Sequence, residues 1–149
     1  MKLEVVIREA RAADVPAILA IYRDAGIEGD EGFTVEEATA HLESFRSYPN
    51  YRVFVATLQD EVVGTYSLLI MDNLAKRGLR SGIVEEVGVT PNHQGQGIGR
   101  TMMHHAMEEC RAAGCYKLAL SSNMRRTEAH EFYETLGFER HGYSFSVSL

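Results

Sequence analysis

Val87-Gly88-Val89-Thr90-Pro91-Asn92-His93-Gln94-Gly95-Gln96-Gly97-Ile98-Gly99-Arg100 is the stretch that decides the fold. A strand-like run ends, a turn crowded with glycine follows, and a helical apolar stripe opens at Ile98 and continues through Met102, Ala106, Cys110 and Ala113. The first turn of a helix carries N–H groups without internal partners, and the helix dipole makes that end positive. Glycines let a ligand approach the backbone without meeting a Cβ. A strand, a glycine turn and a helix start in this order form an anion site of pyrophosphate size, and Arg100 adds a full charge beside it. Three glycines at a helix start are costly unless they serve a ligand.

Working outward, Ile83 to Val89 reads as a central strand and Tyr116 to Leu120 as the strand after the helix, which Gly114 ends. Upstream, Val5 to Arg8 is strand-like. Asp14 is a candidate cap for a helix carrying Val15, Ile18, Ile21, Tyr22 and Ala25 on one stripe and closed by Gly26. Thr34-Val35-Glu36-Glu37 starts a second helix as a capping box. Arg52 to Leu58 and Glu61 to Ile70 form a hairpin around Gln59-Asp60, and Met71 to Gly82 is a loop. Downstream, Thr127 to Leu136 is a short helix closed by Gly137, and Phe138–Arg140 with Tyr143–Val147 is expected to close the chain as a hairpin. Strands and helices alternating in this way predict one α/β domain over residues 1–149.

The 149 residues, 45% of them hydrophobic, suffice for one real core. A net charge of −6 argues against a general nucleic-acid binder, which is more often basic. No apolar run approaches the ~20 residues of a membrane span, and the N-terminal residues lack the apolar core of a secretory signal. A cytoplasmic protein is expected, with Cys110 and Cys115 as free thiols. His104 and His105 are adjacent on the helix and point about 100° apart, so they cannot share a metal. No group of Cys, His, Asp and Glu has metal spacing, and no metal is expected.

Three anion-binding patterns compete for the glycine turn. The dinucleotide fingerprint G-x-G-x-x-G finds Gly95 and Gly97 but meets Arg100 where its third glycine belongs. The P-loop fails because no Gly-Lys-Ser/Thr is present. The pattern Gln/Arg-x-x-Gly-x-Gly/Ala is met by Gln94, Gly97 and Gly99. That last pattern resembles motif A of the GNAT superfamily of acetyl-CoA-dependent N-acetyltransferases. Arg126-Thr127-Glu128-Ala129-His130-Glu131-Phe132-Tyr133-Glu134-Thr135-Leu136-Gly137-Phe138 resembles the same superfamily's motif B, with Arg126 where the motif has Asn. Asn123, three residues earlier, is a candidate substitute. The element order matches along nearly the whole chain. Within the superfamily, Leu120-Ser121-Ser122-Asn123-Met124-Arg125-Arg126, Ala129-His130, Phe132-Tyr133 and Gly137 resemble the aminoalkylphosphonate N-acetyltransferases.

The resemblance implies a mixed, splayed central sheet of six to seven strands with helices on both faces. Acetyl-CoA is then the cosubstrate. Its pantetheine arm would pair with the backbone of Val87 and Val89, and its pyrophosphate would meet the amides of Gln94, Gly95, Gln96, Gly97, Ile98 and Gly99, with Arg100 and Asn123 nearby. It gives Tyr133 the role of acid toward the CoA sulfur. A base is also needed, because an amine of pKa about 10.4 is neutral in only roughly one molecule in 2,500 at pH 7. Glu85 and Glu86 interrupt an otherwise apolar strand, where carboxylates are costly unless used or paired. Strand alternation sends them to opposite faces, so one of them is expected to face the cleft. Glu85 matches the position where the resembling enzymes often carry an acid and ranks first as the base, ahead of Glu86. The partner expected is a small-molecule amine, not a nucleic acid or a membrane, and a homodimer is left open. A zwitterionic acceptor would fit a cleft with Glu28, Asp30 and Glu31 on one rim and Lys76, Arg77 and Arg80 on the other. The competing readings are a non-catalytic acetyl-CoA-binding regulator and a dinucleotide-dependent oxidoreductase.

Overall fold

The computed structural model describes residues 4–27 and 32–149, in two compact units, residues 1–119 and 120–149. In the first, β1 (Val5–Glu9), β2 (Tyr51–Leu58), β3 (Glu61–Met71), β4 (Arg80–Val89) and β5 (Cys115–Leu120, whose last residue opens the second unit) lie in the sheet in chain order. The first four are antiparallel neighbours. Helix α3 (Ile98–Ala112) connects β4 to β5, the strand–helix–strand link that sets neighbours parallel, so the sheet is mixed. β4 and β5 approach each other over a short stretch, in contrast to the full-length ladder between β3 and β4. No described helix is long and apolar enough to cross a membrane.

Alternation along β2 divides the core. Val53 and Val55 pack against Ile18 of α1 (Val15–Ala25), whereas Phe54 between them lies edge-on to His105 of α3, 4.8 Å between ring centres. Successive strand residues point to opposite faces, so α1 and α3 cover opposite faces of the sheet. α2 (Val35–Ser44) packs on α1 through Ala38 and Leu42 against Val15 and Leu19. Three strand glycines set close approaches, Gly82 of β4 against Cys110 of α3 among them. A Cβ on Gly64 of β3 would sit 3.2 Å from both Ile98 and Met102 of α3, and one on Gly88 of β4 would sit 2.6 Å from Ile21 Cγ2 of α1.

Most expected elements are present, and several details differ. Thr34 caps α2, its hydroxyl accepting from the Glu37 N–H at 3.1 Å. Asp14 does not cap α1 with its side chain. Its carboxylate takes both Nη1 and Nη2 of Arg8, at 2.7 and 2.9 Å, and the Arg11 N–H at 2.8 Å, which pins β1 to the start of α1 through a 3₁₀ turn at Ala12–Asp14. β3 runs to Met71 and β4 starts at Arg80, so the loop expected over 71–82 is shorter, with a 3₁₀ turn at Lys76–Gly78.

In the second unit, α4 spans Thr127–Thr135 and Gly137 follows at φ 97°. The expected closing hairpin is absent: residues 138–149 form no regular element, and the sheet has five strands among the described residues, not six to seven. An isolated two-stranded hairpin without a buried face is marginal in water. Tyr143, Phe145 and Val147 keep a strand-like alternation, but all three are exposed, so no burial rewards pairing.

Candidate functional site

β4 carries the site. Across β3 and β4 the register runs Thr65↔Gly88 and then Ser67↔Glu85, so Glu86 and Val87 together stand opposite Tyr66. This is a β-bulge, and Glu86 occupies its left-handed backbone position at φ 55°. A non-glycine residue there costs on the order of 1–3 kcal/mol and persists only where surrounding contacts impose it. The contacts are visible. Oε2 of Glu86 accepts from the Tyr22 hydroxyl of α1 at 3.1 Å and from Ser67 Oγ of β3 at 3.3 Å. Opposite the bulge, the fully buried Tyr66 is tied to α3 by a 2.6 Å bond between its hydroxyl and His105 Nδ1.

The bulge also corrects an expectation. Strict alternation would place Glu85 and Glu86 on opposite faces, but the extra residue breaks the alternation. Glu85 pairs across the ladder with Ser67, Glu86 bonds that same Ser67, and both carboxylates raise the pKa of Tyr51. Burial is the first cause of that rise. The Tyr22 phenol is raised far above its ordinary value, first by burial and then by Glu86, so it remains a hydrogen-bond donor throughout the working pH range. Nothing local in the sequence marks Tyr22, Ser67 or Tyr51 as site residues. Tyr22 and Tyr51 look like core aromatics. Ser67, a polar residue set in the apolar run of β3, is the nearest to a signal that the sequence offers, and the structure shows it fully buried.

Beyond the bulge the chain enters the glycine turn. A 3₁₀ turn at Pro91–His93 is held by Thr90 Oγ1 against His93 Nδ1 at 2.9 Å. The amide side chains of Gln94 and Gln96 donate to the carbonyls of Val89 and Asn92, at 3.3 and 3.4 Å, so both glutamines shape the turn with their side chains. Gly95 and Gly97 have φ of 77° and 85°, and a Cβ built on either would meet nothing within 4 Å. These glycines are therefore needed for backbone conformation, and the turn faces open space where a ligand can approach. Ile98, buried, anchors the helix start, while Gln94 to Gly97 and Arg100 are exposed. An exposed anchored turn at the head of a 15-residue helix suits a pyrophosphate.

In the second unit, Tyr133 is half-buried on α4 between Phe132 and Phe138, with ring centres 5.3 and 5.7 Å away. Burial raises its phenol pKa, with Arg126 opposing, so it is protonated at neutral pH. Asn123 closes a turn before α4: its Oδ1 accepts from the Arg125 N–H at 2.9 Å, and its carbonyl contacts His130 Nε2 at 2.8 Å. His130 is thereby a packing residue of that turn.

Other expected residues divide. Arg80 pairs with Asp72, and the Lys76 ammonium lies over the Tyr116 ring, 5.9 Å from its centre. Their partners lie just after β3 and at the start of β5. The acidic rim of Glu28, Asp30 and Glu31 lies outside the described residues. Cys110 and Cys115 are free thiols. Burial, with Cys115 beside it, pushes Cys110 up to about 12, which leaves it inert as a nucleophile. Among the described residues no three Cys, His, Asp or Glu side chains could hold one metal ion.

Comparison with known proteins gives a consistent result. The model of the Acetyltransferase (GNAT) family matches residues 16–138. The glucosamine 6-phosphate N-acetyltransferase of Trypanosoma brucei brucei is 34% identical over 98 residues, 66% of this chain and 65% of that protein. The aminoalkylphosphonate N-acetyltransferase of Salmonella typhimurium (strain LT2) is 35% identical over 101 residues, 68% of this chain and 65% of that protein. The chain thus spans just under two thirds of the length of these two relatives. A solved structure of an Agrobacterium tumefaciens str. C58 protein superposes with a TM-score of 0.90 at 31% identity, covering 97% of this chain and 99% of that one.

Proposed function

The chain belongs to the acetyltransferase (GNAT) family, and from that premise we propose that it transfers an acetyl group from acetyl-CoA to the primary amine of a small molecule. The observation that carries this reading is the pair of features on one strand: a carboxylate held on a strained bulge and, beyond it, an exposed glycine turn that opens a helix.

Acetyl-CoA would lie with its pyrophosphate over the N–H groups of Gln94 to Gly99, next to Arg100, and with its pantetheine arm along Val87 and Val89. Bound there, it supplies an activated acyl group. Glu86 takes the proton of the incoming ammonium, either directly or through water, because only the neutral amine is a nucleophile. Glu85, on the same face, adds negative charge that draws the ammonium in. As the neutral amine attacks the acetyl carbonyl, the C–N bond forms and the C–S bond breaks. The nitrogen gives up its second proton to water and the thiolate takes one, so that the phenol that protonates it is restored from solvent. Tyr133 is the donor that the family resemblance assigns, and burial keeps it protonated for that step. The relatives that act on glucosamine 6-phosphate and on aminoalkylphosphonates make amines bearing a phosphate or phosphonate the first acceptors to test.

Replacing each carboxylate by its amide tests the assignment. Glu86→Gln should lower kcat by the 10²–10⁴-fold typical of a lost general base, and Glu85→Gln should mainly raise the acceptor KM. If Glu86→Gln turns over like the wild type while chemistry limits the rate, Glu86 is not the base.

A further inference from the structure

Resting on the acetyltransferase reading, we propose that Tyr22 and Ser67 are positioning residues for Glu86: their hydroxyls hold Oε2 and so aim Oε1 at the amine. Both bonds end on the same carboxylate oxygen, from α1 at 3.1 Å and from β3 at 3.3 Å. Among the described residues no bond engages Oε1. Two donors on one oxygen fix the rotation of the carboxyl group and leave its other oxygen to accept the substrate proton, a geometry that a general base needs before its basicity matters.

Ser67 is the more telling of the two. It is fully buried, as is Thr65 two residues earlier on the same face. Thr65 satisfies its hydroxyl in the ordinary way, on the Phe54 carbonyl at 2.8 Å. Ser67 instead directs its hydroxyl to the Glu86 carboxylate. The left-handed backbone at Glu86 is thereby tied to two neighbouring elements by side chains. Tyr22 reaches Glu86 because Ile21, its neighbour on α1, sits directly on Gly88 of β4.

The experiment is a pair of double-mutant cycles. Tyr22→Phe and Ser67→Ala are made in the wild type and in Glu86→Gln, with turnover followed on glucosamine 6-phosphate and 2-aminoethylphosphonate. Each single change should lower kcat on the order of tenfold while the KM for acetyl-CoA holds within about twofold, and in Glu86→Gln neither should matter further. Equal losses in both backgrounds, or an unchanged kcat for Tyr22→Phe, overturn the proposal. A third cycle needs no acceptor: in urea denaturation, Tyr22→Phe should lower the midpoint of the wild type and leave that of Glu86→Gly unmoved, since glycine adopts a positive φ freely. Additive midpoint shifts also overturn it. Wild-type protein that acetylates no amine overturns the acetyltransferase reading itself; an active wild type with an indifferent Tyr22→Phe overturns only the positioning role.

Discussion

Gly88→Ala is a one-methyl change that should disturb the site from outside it. The new Cβ would lie 2.6 Å from Ile21 Cγ2, about 1 Å inside the 3.5–4.0 Å at which carbon atoms rest. Ile21 is 1% exposed and has no room to swing away. The strain therefore falls on the α1–β4 packing, and α1 must lift by roughly 1 Å. Overpacking of this kind costs about 1–3 kcal/mol, which for a chain of this length lowers Tm by roughly 2–12 °C. The same lift stretches the Tyr22–Glu86 bond from 3.1 Å past the limit of a hydrogen bond, so kcat should fall together with stability. Scanning calorimetry and CoA-release kinetics read the two effects. Ile21→Ala removes the clashing methyl, and the Ile21→Ala/Gly88→Ala protein should be less destabilised than the sum of its parts. A Gly88→Ala protein as stable as the wild type, or a strictly additive double variant, would refute this account of the packing.

Three further outcomes follow from the same geometry. Tyr133→Phe keeps the packing with Phe132 and Phe138 and removes the hydroxyl; kcat should fall tenfold or more with acetyl-CoA affinity little changed, and an unchanged kcat returns Tyr133 to a packing role. Asp14 is held below the usual carboxylate range, first by the hydrogen bond from Arg8, so its stabilising contribution is full above pH ~4 and is lost as pH falls through its lowered value; Asp14→Asn should flatten that acid limb of the denaturation curve, and an unaltered limb would exclude the pair as its source. Thr34→Ala should cost about 1 kcal/mol through the lost α2 cap, measured in urea, and a neutral result would mean that the Glu37 N–H finds water as good a partner.

What was legible in the sequence is what local chemistry dictates. Gln59-Asp60 between two apolar runs marks the β2–β3 hairpin, and both residues have positive φ, 51° and 64°, as a tight hairpin turn of this type requires. Gly26 ends α1 at φ 69°, and the glycines before Ile98 open α3. The bulge was not legible, because Glu85-Glu86 reads as two carboxylates interrupting an apolar strand, and nothing local says that one of them is an extra residue. Only pairing with β3 shows that two residues face Tyr66, and the pairing is a long-range property. Asp14 has the identity of a cap, but Arg8, six residues earlier, competes for its carboxylate and holds it through two hydrogen bonds. The tail from Tyr143 to Val147 shows the opposite failure: a strand pattern is present, but no partner pairs with it among the described residues. The site's hydroxyls were hidden in the same way, since Tyr22 is one member of a clean helical stripe and its bond to Glu86 spans 64 residues.

Mass spectrometry of the amine, with stoichiometric CoA release measured in the same vessel, tests the central claim most directly. The purified protein is incubated with acetyl-CoA and a panel of glucosamine 6-phosphate, 2-aminoethylphosphonate, amino acids and simple alkylamines. The account predicts at least one amine heavier by a single acetyl group, one CoA released per product formed, and both signals reduced together in Glu86→Gln. Acetyl-CoA that binds and stabilises the protein while no amine in the panel gains an acetyl group would contradict it, and would leave a protein that holds acetyl-CoA without transferring its acetyl group.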